Sequence, residues 1–186
     1  MGIPTLIKTQ TASNSASLDF VDGTSDVVLD STYDEYMFVC TDIGPATDNV
    51  FFTFQVNATD DAGGDYDTSA ITSTSFQAYH TEDDASTDVG YNSSQDQAQG
   101  TAFQILTNSI GNGSDESAAG ILHLFNPAST TYVKHFYARF NTYHAADNST
   151  DWYTAGYIND TTAIDEIQFK MSSGNFDGVI QMYGIA

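Results

Sequence analysis

The sequence is poor in positive charge. Four basic residues (Lys8, Lys134, Arg139 and Lys170) stand against 25 acidic ones, for a formal net charge of −21. Such a surface repels phosphate, which excludes nucleic-acid binding through backbone contacts, and an anionic bilayer repels it too. Cysteine is nearly absent. Cys40 is the single one, so no intrachain disulfide can form, and its apolar surroundings "EYMFVCTDI" predict a buried, inert thiol. Prolines number three (Pro4, Pro45, Pro127), all placed at expected strand ends or in loops. Long hydrophobic runs are missing: no stretch reaches the roughly 18 to 20 apolar residues that span a membrane. "MGIPTLIKTQ" has neither the charged n-region and apolar h-region of a signal peptide nor the Ser or Thr a myristoylation signal needs, since Leu6 stands there.

What remains is a chain of 186 residues with 40% hydrophobic and 13% aromatic content, enough for one domain with a packed core. Its charge suits salty surroundings, where the screening length falls to about 3 Å near 1 M salt. Helical periodicity is nearly absent and alternation is common. "VFFTFQVN" puts Phe52, Phe54 and Val56 on one face with Thr53 and Gln55 on the other. Eleven candidates, at 4–9, 15–21, 35–42, 49–57, 70–79, 102–107, 118–126, 131–141, 151–158, 164–171 and 178–185, give about ten expected strands once one or two are taken as wrong or split. Turn-forming clusters such as "DIGPATDN", "SIGNGSDES" and "SSGNFDG" punctuate them. The pattern predicts an all-β, antiparallel sandwich or barrel in a single domain. Two strands, 131–141 and 178–185, carry large groups on both faces, which predicts that both faces are covered. The segment 81–100 is polar and acidic and reads as a long loop.

Chemical motifs are scarce. "ATDDAGGDYDTS" (58–69) collects aspartates around Gly63 and Gly64, with Asp61, Asp65 and Asp67 as candidate ligands of a structural calcium ion. The spacing fits an EF-hand poorly, because no glutamate follows until Glu82. The favoured reading is a hairpin turn joining 49–57 to 70–79, solvated by its aspartates. Of His80, His123, His135 and His144, none has zinc-ligand spacing, although His123 and His135 could meet across a hairpin at "NPAST". There is no Gly-x-Ser-x-Gly elbow and no phosphate loop. Five Asn-x-Ser/Thr sequons, at Asn57, Asn92, Asn112, Asn148 and Asn159, fit chance in a chain so rich in these residues. Tyr143, Trp152 and Tyr153 could stack on sugar rings, or fill a sheet face or subunit contact instead.

Taken in order, "IKTQTASNSASLDF", "STYDEYMFVCTDIGPATD", "AYHTEDD", "GILHLFNPASTTYVKHFYARF", "AGYIND" and "AIDEIQFKMSSGNFDGVIQMYGI" cover nearly the whole chain. They resemble a family of virion structural proteins of tailed phages, marine ones especially. In that family the stretch at 58–69 is a shorter "TDGG…Y" turn. The resemblance implies a jelly-roll-like β-sandwich on the virion exterior, and it implies no catalytic residue and no cofactor. It leaves open whether a member decorates the capsid or belongs to the tail.

Synthesis in the reducing host cytoplasm fits the unpaired cysteine. The expected function is therefore that of a non-enzymatic capsid decoration protein, a homotrimer reinforcing the major capsid protein. The apolar "GIPTLI" and the two-faced strands nominate Ile3, Leu6, Ile7, Phe136, Phe140, Tyr183 and Ile185 as subunit contacts. The alternative is a tail-associated, glycan-binding receptor module using Tyr143, Trp152 and Tyr153. A calcium-dependent glycan-processing enzyme ranks third.

Overall fold

The computed structural model describes residues 2–66 and 68–186. The chain is all-β, with antiparallel sheets packed face to face. Thirteen strands are described: β1 (Thr5–Ser15), β2 (Leu18–Val21), β3 (Glu35–Pro45), β4 (Phe52–Ala58), β5 (Ile71–Thr81), β6 (Thr87–Tyr91), β7 (Ala98–Gly100), β8 (Gln104–Ile105), β9 (Ala118–Phe125), β10 (Lys134–His144), β11 (Asn148–Ile158), β12 (Ile164–Met171) and β13 (Phe176–Ile185). A nine-stranded sheet runs β1-β13-β3-β9-β10-β11-β5-β6, with β7 also pairing β5. A four-stranded sheet runs β2-β12-β4-β8. No helix of the described residues is long and apolar enough to cross a membrane.

Alternation builds the core. From the small sheet come Phe20, Phe52, Phe54 and Phe169; from the large one come Phe38, Phe136, Phe140 and Phe176, all buried. The rings meet across the gap: Phe20 with Phe38 at 5.4 Å, Phe52 with Phe140 at 6.0 Å, Phe54 with Phe136 at 5.1 Å. Edge-to-face and tilted pairs of this kind add to area burial. Cys40 lies within this core, and burial pushes its thiol far above its ordinary pKa. At Gly178 (φ +146°) the β13–β3 register shifts, and a Cβ there would collide with Ile43 and with the Asp42 carbonyl.

Three expectations need correction. The segment 81–100 is not a bare loop: it contains β6 and β7, both paired with β5. The stretch 58–69 is not a hairpin turn, because β4 and β5 lie in different sheets and it is the connection between them. Of the two-faced strands, β10 is covered on one side only, while the second face of β13 is half-buried. On β10, Phe136 and Phe140 face the core while His135, Tyr137 and Arg139 face outward, exposed.

Candidate functional site

The crossing segment 58–69 folds over the outer face of the small sheet. Together with the stretch 101–104 it covers β4, which is buried along its whole length, its polar Thr53, Gln55 and Asn57 included. The Gln55 side chain donates to the carbonyls of Ser69 (3.1 Å) and Thr101 (3.0 Å), and the Asn57 amide to that of Ala62 (3.2 Å). The Glu166 carboxylate accepts from the Gly64 amide at 2.9 Å. Gly64 has a φ of +80°, which glycine adopts without strain. Tyr66 is buried there; burial, then the charges of Asp19 and Glu166, push its hydroxyl far above the ordinary value.

At one corner of this segment Asp60, Asp61 and Asp160 each offer a carboxylate oxygen, all within 4.8 Å of one another. Of the residues singled out from sequence, only Asp61 belongs to this group. Asp65 stands apart, and Asp67 lies outside the described residues. Existing groups already engage the trio. Thr162 donates to Asp60 (3.1 Å) and Thr68 to Asp61 (2.6 Å), and the Thr162 amide donates to Asp160 (2.6 Å). Beside them lies Lys134, fully buried, its ammonium donating to the carbonyls of Asp160 (3.0 Å) and Thr162. Burial lowers its pKa, and the charges of Asp160 and Asp60 oppose that shift. A buried cation thus offsets part of the acidic corner.

Asp165 has the opposite problem. Its Oδ1 is buried without a hydrogen-bond partner, and burial, then Glu166 and Asp22, raise its pKa. Because the folded pKa lies above the unfolded one, folding favours the protonated form. The resulting stability is present in acid and is lost as pH rises through the carboxylate range. We therefore expect Asp165→Asn to raise stability at pH 7. The gain should vanish below the ordinary value of 3.8, as read by thermal unfolding across pH.

The outer face of the large sheet is a different surface. Its four adjacent strands β9, β10, β11 and β5 have 8, 11, 11 and 11 residues, and the only acid among them is Asp151. Asp151 is held by Arg139 through two hydrogen bonds, Nε to Oδ1 at 3.0 Å and Nη2 to Oδ2 at 2.8 Å. Register aligns Ile121, Arg139, Tyr153, Phe76 and Tyr91 across five strands. Arg139 lies 5.0 Å from the Tyr153 ring centre, and Tyr153 stacks on Phe76 at 4.7 Å. One step along, His123 stacks on Tyr137 at 4.5 Å and pairs with Glu35 at 2.5 Å. Tyr137, not His135, is the residue in register with His123. Beside these side chains runs a trough of about 520 Å³ floored by Ala119 and Ile121 and walled by Tyr137, Arg139 and Asn141. On a chain of −21, this face is locally neutral.

The other residues named from sequence separate cleanly. Trp152 is fully buried, its Nε1 donating to Thr154 Oγ1 at 2.9 Å, so it cannot stack on a ligand. Tyr153 is on the outer face, but its ring is flanked by Phe76 and Arg139. Tyr143 sits half-buried near the end of β10, where a hydrogen bond to Glu82 raises its pKa. Phe136 and Phe140 are core residues and cannot be subunit contacts. Of the others, Leu6 pairs Tyr183, Thr5 pairs Gly184, and Gly2 lies against Ala186, which brings the Leu6 and Tyr183–Ile185 segments together. Ile7 packs against the core instead and is not a surface contact. Ile3 is 88% exposed and Leu6 50%.

Two features went unnoticed in the sequence. Lys134 stands in phase with Phe136 and Phe140, which marks a lysine facing the core side. The trough had no local signal, because its residues come from three strands. Among the described residues no histidine is hydrogen-bonded to a serine, threonine or cysteine hydroxyl or thiol. Comparison with known proteins finds no matching family model, no matching curated sequence and no matching solved structure.

Proposed function

We propose that the chain is a structural protein of a phage virion exterior, a capsid decoration protein that acts by contact rather than by chemistry. The observation that carries this reading is the apolar corner at one edge of the large sheet. There Leu6 on the edge strand β1 pairs Tyr183 on β13, with Ile185 two residues on and the exposed Ile3 just before β1. Ile3 and Leu6 are exposed and Tyr183 and Ile185 half-buried, and apolar groups gathered at one place mark an interaction site more than scattered ones do. The β1–β13 register breaks between Leu6 and Lys8, and such an irregularity discourages continuation of the sheet by another strand. The corner therefore works through side-chain burial, in a homotrimer seated on the major capsid protein. The jelly-roll-like likeness read from sequence and the salt-tolerant, acidic surface support the same assignment.

Stripping the protein from virions tests the reading. Shells without it are expected to lose an outer density and to rupture at lower temperature; shells unchanged in surface and in heat resistance would refute it. For the corner itself, the double variant Leu6→Asp, Ile185→Asp is expected to shift the purified protein from trimer to monomer in sedimentation analysis without unfolding it. A trimer that persists in this variant would place the subunit contact elsewhere.

A further inference from the structure

We propose that the trough between β9 and β10 binds a neutral oligosaccharide. Its volume of about 520 Å³ lies in the range of small-molecule sites, about 300–1,000 Å³. Its floor is apolar, from Ala119 and Ile121, and the ring of Tyr137, 46% exposed, rises beside it. A sugar ring has flat C–H faces and a rim of hydroxyls, and needs both surfaces.

The polar wall is fixed in advance. The Arg139 guanidinium is clamped to Asp151 and lies over Tyr153. Asn141 Nδ2 donates to Ser149 Oγ (3.0 Å) and the Thr150 carbonyl (3.2 Å). His123 is held by Glu35 and Tyr137. Beside the apolar floor these bonds leave Arg139 Nη1 as a donor, Asn141 Oδ1 as an acceptor and His123 Nε2 as a donor or acceptor according to its tautomer, all available to hydroxyl groups. Little conformational entropy is lost on binding when the groups are already held.

Charge selects the ligand class. The acidic surface opposes phosphates, uronic acids and sialic acids approaching from solution. Basic peptides are drawn to the acid-rich segments outside these strands, such as 82–84 and 60–65, and not to this neutral face. An uncharged, hydroxyl-rich chain is not repelled by the acidic surface. The trough is separate from the apolar corner: β3 and β13 lie between β9 and β1. A protein anchored by the corner would leave the trough open.

Isothermal titration with cellohexaose, maltohexaose and mannohexaose, and with hexagalacturonic acid as the charged control, tests this. At least one neutral sugar is expected to bind saturably, and the acid to fail. Tyr137→Ala and Asn141→Ala are each expected to weaken binding about tenfold, with cooperative unfolding retained and Tm lowered by only a few degrees. Tyr132→Ala, an exposed tyrosine outside the trough, should bind as the parent does. Absence of binding by all three neutral sugars, binding of the acid alone, or affinity indifferent to both trough variants would overturn the proposal. Sedimentation provides a further arm: an assembly that Tyr137→Ala dissociates would make the trough a protein interface and refute the sugar site. The corner variants leave the trough intact, so failure here is distinguishable from failure of the capsid reading.

Discussion

Phe169→Ala is expected to destabilise the fold by about 4 kcal/mol, the range for a fully buried phenylalanine. The ring is fully buried in the small sheet and touches four others: Phe38 at 5.3 Å, Phe52 at 5.8 Å, Phe20 at 6.2 Å and Phe54 at 6.4 Å. It thus links rings of β2 and β4 to Phe38 of the facing sheet, one of several ring contacts between the sheets. Deleting it removes transfer energy and opens a cavity bordered by rings, which collapse poorly because each is pinned by its own neighbours. For a domain this size the corresponding fall in Tm is about 8–16 °C. Phe169→Leu keeps most of the volume and should cost less than half as much. Urea denaturation of the three proteins gives the comparison; a loss below about 1 kcal/mol for the alanine variant would mean that the sheets do not pack through this residue.

Lys134→Ala should cost about 3 kcal/mol, for a different reason. The ammonium of this fully buried lysine satisfies two main-chain carbonyls, Asp160 and Thr162, and sits near the charges of Asp60 and Asp160. Without it the carbonyls lose their donor and three carboxylates are left to repel one another. Lys134→Met retains the apolar stem and should recover part of the loss. Both deficits should shrink in high salt, where repulsion among the acids is screened. Denaturation in 0.05 M and 1 M NaCl measures this; a cost under about 0.5 kcal/mol, typical of a surface lysine, would contradict the structural role given to Lys134.

The core was legible because its strands alternate. Phe52, Phe54 and Val56 face inward as their spacing requires, and so do Ile167, Phe169 and Met171. Burial of Thr53 and Gln55 was not legible. It depends on the connections at 58–69 and 101–104 folding over them, and nothing in the alternating pattern encodes that cover. Strands β6 and β7 escaped notice because edge strands exposed on both faces need no apolar side. Val89 and Tyr91 were the only hints, and they lie on the surface.

The stretch "ATDDAGGDYDTS" misled in an instructive way. Turn residues between two strands suggest a hairpin, yet the same residues serve a connection that changes sheets. Its partners, Lys134, Asp160, Thr162 and Glu166, lie 74 to 102 positions from the residues they engage, so neither the acid corner nor its cation could be read locally. Trp152 and Tyr153 show the limit of composition. Adjacent residues on a strand face opposite ways, and the sequence did not say which aromatic the core would take. The trough needed the register of β9, β10 and β11, which only tertiary pairing sets.

A reconstruction of the virion at side-chain resolution tests the central claim most directly. The account predicts density for this β-sandwich on the outer surface of the capsid, repeated around a threefold axis, with the Leu6–Tyr183–Ile185 corner buried against a neighbour and the neutral outer face of β9–β10–β11–β5 open to solvent. Density for the chain confined to the tail, or a corner left exposed in the particle, would contradict it.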